Sequence, residues 1–294
     1  MIVVNIMGGL GNQLFMYAMY RRALLQQREC YIDIGWFKNE KKDFWYPYQL
    51  EKLGLKANIL ERDQYCVKEY YIKNNHITEN EFENNKKDIK VPILNLIVER
   101  DSYSCERLWE SKNAYLYGYF QNVSNCEKVL PDIRKEIFFP HSREMQGERL
   151  RTEILQSNSV AVHIRLNDYD DIECFEQICP KGYYLNSINY IVQKISDAKF
   201  FIFSNNIERA RKVLGVQDNF YFVEYFDRMN GIGDMELITM CKHAIIGNST
   251  FGWWGAALNR NPKALVIAPK KWKDNVNGNL DYKFNLCLEN WISL

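Results

Sequence analysis

The sequence predicts an α/β protein made of two Rossmann-like halves, each a parallel sheet covered by helices. Three observations carry this. From residue 159 to 268, short apolar runs alternate with helical stretches at βα pitch, the signature of a doubly wound parallel sheet. The chain also opens on an apolar run, a glycine-rich turn and a helical pattern, over residues 2–6, 8–13 and 14–27. Its 294 residues suit two domains of ordinary size. We divide them at 1–150 and 151–294, with a polar linker between Phe139 and Ser157.

In order, residues 2–6 form the first strand and 31–34 the second. From Trp36 to about Tyr103, Asn, Lys and Glu dominate between short apolar patches, as in 79–88, and we expect short helices and loops. Residues 115–121 return to strand character, with aromatics and Gly118. In the second half the strands are 159–164, 199–204, 220–225, 244–247 and, last, 264–268. The helices are 182–195, 207–214, 234–242 and 253–258, with Met235, Ile238 and Cys241 on one face of the third.

Composition narrows the function. The net charge is +1, which gives no field for nucleic acid. Any anion must be held by a few placed residues. No apolar run approaches the roughly eighteen residues of a membrane span. The start, Met-Ile-Val-Val-Asn-Ile, has no basic leader region, so a cytoplasmic protein is expected. The eight cysteines are scattered, with Cys174 and Cys179 the closest pair and no metal-ligand spacing. Reduced thiols and no metal site follow. The sequons at Asn122 and Asn248 carry no meaning in such a compartment.

Three strand-end turns carry candidate chemistry. Val160 to Tyr169 opens as a buried strand and delivers His163, Arg165 and Asp168 within a few residues of its end, where open parallel sheets bind ligands. A base, a fixed cation and an acid suit an anionic substrate; the plainer reading is an Arg165–Asp168 pair pinning a loop. Gly8-Gly-Leu-Gly-Asn-Gln13 joins the first strand to its helix. Its glycines allow close backbone approach, and the helix start offers N–H groups to a phosphate. It is neither a P-loop nor a dinucleotide fingerprint. Asn12 either contacts a phosphate or sugar oxygen or caps the helix. Gly247-Asn-Ser-Thr-Phe-Gly-Trp-Trp-Gly-Ala256 is the third turn. There Ser249 and Thr250 offer hydroxyls, while Trp253 and Trp254 read more readily as core than as site walls. Two such domains sharing a cleft make a nucleotide-sugar site, with Arg165 suited to bidentate phosphate contact.

Four stretches in order, Gly8-Gly-Leu-Gly-Asn-Gln-Leu-Phe15 with Tyr17-Ala18, Gly118-Tyr-Phe-Gln121, Val162-His-Ile-Arg165 with Asp168-Tyr169, and Asn248 to Ala256, resemble the α-1,2-fucosyltransferases of glycosyltransferase family 11. Cys241-Lys-His243 fits the same pattern. The resemblance spans nearly the whole chain. It implies a GT-B-like fold whose two Rossmann-like domains face a donor cleft, with the acceptor on the 1–150 side and GDP-fucose on the 151–294 side. It also implies inversion, no metal and no cofactor beyond the donor itself. Carried onto this chain, Arg165 holds the β-phosphate and His163 and Asp168 lie beside the donor. Gly9, Gly11, Asn12, Ser204, Asn206, Asn248, Ser249, Thr250 and Phe251 line the donor site. The chain departs from the family pattern at Leu166, where a second Arg is usual, and at Asn167, where Gly is usual. It departs again at Asn205-Asn206, where acids are usual, and at Gly252, where Ser is usual. Asn205 and Asn206 remain able to hydrogen-bond a base or ribose.

The reaction so implied is one in-line displacement by O2 of a galactoside, with Asp168 the first candidate base and His163 the second. The partners are GDP-fucose and a galactose-terminated oligosaccharide or lipid-linked glycan; a peripheral visit to the inner membrane face is compatible with this. Three rival readings stand beside it: another donor or linkage on the same scaffold, a non-catalytic nucleotide-sugar-binding module, and a nicotinamide-dependent oxidoreductase. Irregular glycine spacing and the lack of a ribose-binding acid argue against the last.

Overall fold

The structure, a computed structural model, describes residues 1–38, 46–61, 64, 66–73, 76–80, 93–98, 111–140, 145–166, 178–224, 231–272 and 286–294. The chain divides into two compact units, 1–51 with 55–132, and 52–54 with 133–294.

The first unit is built on strands β1 (Ile2–Asn5), β2 (Cys30–Asp33), β3 (Cys66–Lys73), β4 (His76–Asn80), β5 (Ile93–Val98) and β6 (Ala114–Tyr117). Their order is β2-β1-β6-β5-β3-β4, and only the β3–β4 pair is antiparallel. Helix α1 (Leu10–Leu25) follows β1 and is buried on nearly every side of its first four turns, including Leu14, Phe15, Met16, Tyr17 and Ala18. It begins four residues earlier than the glycines suggested. Helices α2 (Val123–Glu127) and α3 (Leu130–Glu136) come after β6. The expectation of short helices and loops between 36 and 103 is corrected: β3, β4 and β5 lie there. Residues 81–90 lie outside the described residues.

In the second unit β7 (Asn158–Ile164), β8 (Ala198–Ser204), β9 (Phe220–Phe222), β10 (His243–Ile246), β11 (Val266–Ala268) and β12 (Ile292–Ser293) form one parallel sheet. The strand order is β12-β11-β10-β7-β8-β9. β12 is a further strand beyond the one expected to be last. Helices α4 (Met145–Gln156), α5 (Lys181–Lys194), α6 (Ile207–Leu214), α7 (Ile232–Met240) and α8 (Thr250–Ala257) complete the unit. The linker expected between 139 and 157 is instead mostly α4. That helix is held by Arg151, whose guanidinium donates to both carboxylate oxygens of Glu236 on α7, at 3.3 and 2.8 Å.

Helices cover both faces of this sheet, which is why the middles of its strands are apolar. Val160, Val162 and Ile164 pack with Phe200, Ile202 and Ile245 against Tyr184, Ile188 and Ile191 of α5 and Ala210 and Leu214 of α6. Strand side chains alternate faces, so Ala161 and His163 turn the other way, toward α8. There Trp253 and Trp254 are fully buried, as the core reading expected, and the Trp253 indole donates to the Leu286 carbonyl at 2.6 Å. Each such burial contributes roughly 1.5–3 kcal/mol. α7 packs on α8 where Gly255 meets Ile238: a Cβ at 255 would stand 2.6 Å from the Ile238 Cγ2.

Candidate functional site

In each unit the strand order reverses at one point, and each point gathers two of the sequence motifs. In the second unit β8 and β9 lie to one side of β7 and β10 to β12 lie to the other. Chain leaving β7 and β10 therefore diverges and opens a crevice at their carboxyl ends, the usual ligand position in such sheets. β7 ends in His163-Ile164 and delivers Arg165; β10 runs through Gly247-Asn248-Ser249 into α8. The Gly247 N–H donates to the His163 carbonyl at 3.0 Å.

His163 is buried against the first turn of α8. Its ring lies 5.5 Å from that of Phe251, and a Cβ at Gly252 would stand 2.6 Å from its Nδ1. The glycine at 252 is thus tied to the histidine: a serine there would displace the ring. Nδ1 has no hydrogen-bond partner among the described residues. Burial first, and the charge of Arg165 second, push the imidazole pKa down to about 3. The ring is neutral at ordinary pH, a setting for shaping the turn rather than for taking a substrate proton.

Arg165 stands half-buried at the strand end. The residue after it, Leu166, packs onto the core shared with α5 and α6. Its peptide is gripped from β8's end by Asn205, whose Oδ1 accepts from the Leu166 N–H at 2.8 Å and whose Nδ2 donates to the Leu166 carbonyl at 2.5 Å. Only a carboxamide serves both groups; a carboxylate has no proton for the carbonyl. Two departures from the family pattern, Leu166 and Asn205, therefore meet. Asn205 thus holds the β7 turn.

The other residues named from the sequence divide. Asn206 is the N-cap of α6, accepting from the Arg209 N–H at 2.9 Å, and Ser204 closes a local turn by accepting from the Asn206 N–H at 3.1 Å. Both serve local structure. Asn248 is buried and donates to the Trp272 carbonyl at 3.2 Å. Ser249 occupies the N-cap of α8, yet its hydroxyl does not close on the helix, and the first turn has no acid. The amides there are thus left without a side-chain cap, an arrangement that favours an anion. Thr250 and Phe251 are half-exposed in that turn. Asp168 lies outside the described residues.

In the first unit the order reverses at β1, which has β2 on one side and β6 on the other. Here the turn 8–13 meets the stretch 118–121. The Gln121 Nε2 donates to the Asn12 Oδ1 at 3.1 Å, and Tyr119 packs beside Gly8, whose φ of +71° needs glycine. Gly9 is the N-cap of α1, with Gly11 and Asn12 in its first turn; no side chain caps it and no acid is present. Below the turn is a buried polar chain: Asn5 Nδ2 donates to the Tyr115 hydroxyl at 3.0 Å, which donates to Asp33 Oδ2 at 2.7 Å.

Sequence reasoning missed Gln13. It is fully buried, donates to the Gly8 and Pro47 carbonyls at 2.9 Å each and accepts from the Gln49 N–H at 3.0 Å. It fixes the turn and brings Tyr46 over Gly9. The signal was present, a carboxamide next to Asn12 on an apolar helix. Two of its three partners, Pro47 and Gln49, lie 34 and 36 residues away and were not.

The comparisons agree with this geometry. The model of glycosyl transferase family 11 matches residues 1–294. An α-1,2-colitosyltransferase of Escherichia coli is 28% identical, over 100% of this chain and 98% of its own. The O-antigen biosynthesis glycosyltransferase WbnK of E. coli is 27% identical over 98% of each chain. Among solved structures POFUT1, in complex with GDP, superposes with a TM-score of 0.53 at 13% identity, over 91% of this chain and 97% of its own. That likeness supports a GT-B-like α/β fold. The chain is a member of glycosyl transferase family 11, and its chemistry is glycosyl transfer.

Proposed function

We propose that this glycosyltransferase moves L-fucose from GDP-fucose to O2 of a galactoside, with inversion and without a metal ion. The observation that carries the reading is the reversal point of the second sheet, where Arg165 and the uncapped start of α8 stand at the ends of neighbouring strands. The resemblance of the four motifs to α-1,2-fucosyltransferases supports the choice of sugar and linkage.

In this reading the second unit binds the nucleotide and the first the acceptor. Arg165 takes the β-phosphate, with the Ser249 and Thr250 turn beside it and Phe251 at its edge. The residues Ser204, Asn206 and Asn248 hold that rim in place. On the first unit, Gly9, Gly11 and Asn12 offer backbone amides and a carboxamide to a sugar. The acceptor oxygen attacks C1 of fucose, the bond from C1 to the phosphate oxygen breaks, and GDP leaves with the electron pair. Charge grows on the β-phosphate, where a fixed cation and helix amides stabilise it. The hydroxyl proton passes to Asp168 or to a phosphate oxygen; His163, neutral and buried, positions Arg165. The acceptor is a free oligosaccharide or a lipid-linked glycan of the O-antigen kind, used at the cytoplasmic side with at most peripheral membrane contact.

A second donor has a specific observation behind it: one relative is named an α-1,2-colitosyltransferase. Colitose is fucose without its 3-hydroxyl, so the choice turns on whether a site group hydrogen-bonds that hydroxyl. Transfer from GDP-fucose and from GDP-colitose to lactose, with chelator present, tests both readings. Wild-type protein is expected to favour GDP-fucose, and Arg165→Ala to lower kcat/KM by roughly a hundred- to a thousandfold with an unchanged circular dichroism spectrum. Turnover of Arg165→Ala within a few-fold of wild type would remove Arg165 from the site, and a preference for GDP-colitose would change the donor.

A further inference from the structure

We propose that two tyrosines at the head of α5, Tyr183 and Tyr184, are positioning residues for transfer: their hydroxyls set the turn from β10 into α8, and with it the aim of the α8 amides at the leaving diphosphate. This rests on the reading above, in which that turn meets the nucleotide, and adds the residues that hold it.

Successive residues of the turn are met from one place. The Tyr183 hydroxyl donates at 2.6 Å to the carbonyl of Ile246, the last residue of β10, and stands 3.4 Å from the Ile267 carbonyl on β11. Tyr184 is buried, and its hydroxyl lies under the next residue, where a Cβ at Gly247 would collide with it. The following amide, the Asn248 N–H, donates to the sulfur of Cys179, just ahead of α5, and so does the Tyr184 hydroxyl. Burial lifts that thiol to about 12, so it stays neutral and serves as a contact rather than a nucleophile. Beyond these points the chain bends tightly, the Ser249 N–H donating to the Gly247 carbonyl at 2.8 Å, and α8 begins.

Gly247 shows that the hydroxyl matters to the turn. It is not among the residues of positive φ, so its conformation does not call for glycine; the Tyr184 hydroxyl is what excludes a side chain. The rest of the core around Tyr184 is Val, Ile, Phe, Ala and Leu. A phenylalanine would serve that core, and burying a hydroxyl costs free energy unless it is bonded. The two rings move as a unit, edge to face with centroids 5.0 Å apart. The helix that carries them also packs on Val160 and Val162 of β7, the strand that delivers Arg165. It therefore ties the turn to the strand of the cation. Misplacing a site by about 1 Å from a distance costs on the order of a hundredfold in rate.

The test measures GDP affinity by calorimetry, the KM values of GDP-fucose and lactose, and Tm, all on the whole protein. Tyr183→Phe keeps the ring and loses the bond to Ile246. It should raise the GDP Kd and the donor KM roughly tenfold and leave the lactose KM unchanged. Gly247→Ala should weaken GDP in the same way, since Cβ and hydroxyl cannot both fit. Adding Tyr184→Phe should recover most of that loss, because the ring carbon then stands 3.6 Å away, an ordinary contact. Ile191→Val, in the core face of the same helix, should lower Tm without changing GDP affinity. Lactose KM rising in step with the donor KM, or no recovery in the double variant, would overturn the inference. The calorimetric arm reads the turn whichever sugar the donor carries. Wild-type protein that binds no GDP would overturn the donor reading and this inference with it. GDP binding shared equally by wild type, Tyr183→Phe and Gly247→Ala would overturn this inference alone.

Discussion

His163 shows how one residue is set by what touches it. Unfolded, its imidazole takes a proton near the ordinary value of 6.5; folded, it does so only at about 3. The unfolded chain therefore binds the extra proton between those values. Stability from this group is complete above about pH 6.5 and is lost as pH falls toward 3, by up to about 1.4 kcal/mol per pH unit. His163→Phe should remove that slope. The ring fits beside Gly252 and Phe251 with no Nδ1 hydrogen bond to lose, so the variant should fold and should gain stability relative to wild type as pH falls from 7 to 4.5. Parallel urea-midpoint curves for the two proteins would contradict the buried neutral imidazole. At this scale the sequence was legible in residue type and not in role. It put a histidine, an arginine and an acid at a strand end, but it did not show that the histidine turns inward or that Asn205 spends both ends of its carboxamide on Leu166.

Among elements, α4 and α7 are joined by a buried ion pair, with the Arg151 and Glu236 side chains 9% and 3% exposed. Removing one partner leaves a charge stranded, so Arg151→Met should cost about 3–5 kcal/mol, read as a lowered urea midpoint. Adding Glu236→Leu should recover most of it, and a double variant no better than the single would refute the pairing. The same contact explains why residues 145–156 read as a linker. The stretch is polar, and its anchor lies 85 residues away. β3 was missed for a related reason. Cys66-Val-Lys-Glu-Tyr-Tyr-Ile-Lys73 mixes Lys and Glu into a strand paired with β4 and β5, and its propensity alone is weak. By contrast β7, β8 and β10 are buried on both faces and written as continuous apolar runs, so they were read to within a residue or so.

For the whole molecule, the legible part was the set of four motifs and the alternation that places them at strand ends. What the sequence did not contain was their pairing. The structure joins the first two motifs at the reversal point of one sheet and the last two at the reversal point of the other. With a net charge of +1, the chain has no general attraction for anions, so the proposed nucleotide binding is assigned to Arg165 and the start of α8. The measurement that tests this most directly is calorimetric titration with GDP, GDP-fucose, GDP-mannose and UDP-galactose in the presence of chelator. The account predicts that GDP and GDP-fucose bind at micromolar concentration without metal, that UDP-galactose does not, and that Arg165→Ala abolishes the heat. Equal binding of the guanine and uracil nucleotides, or a requirement for a divalent cation, would contradict it.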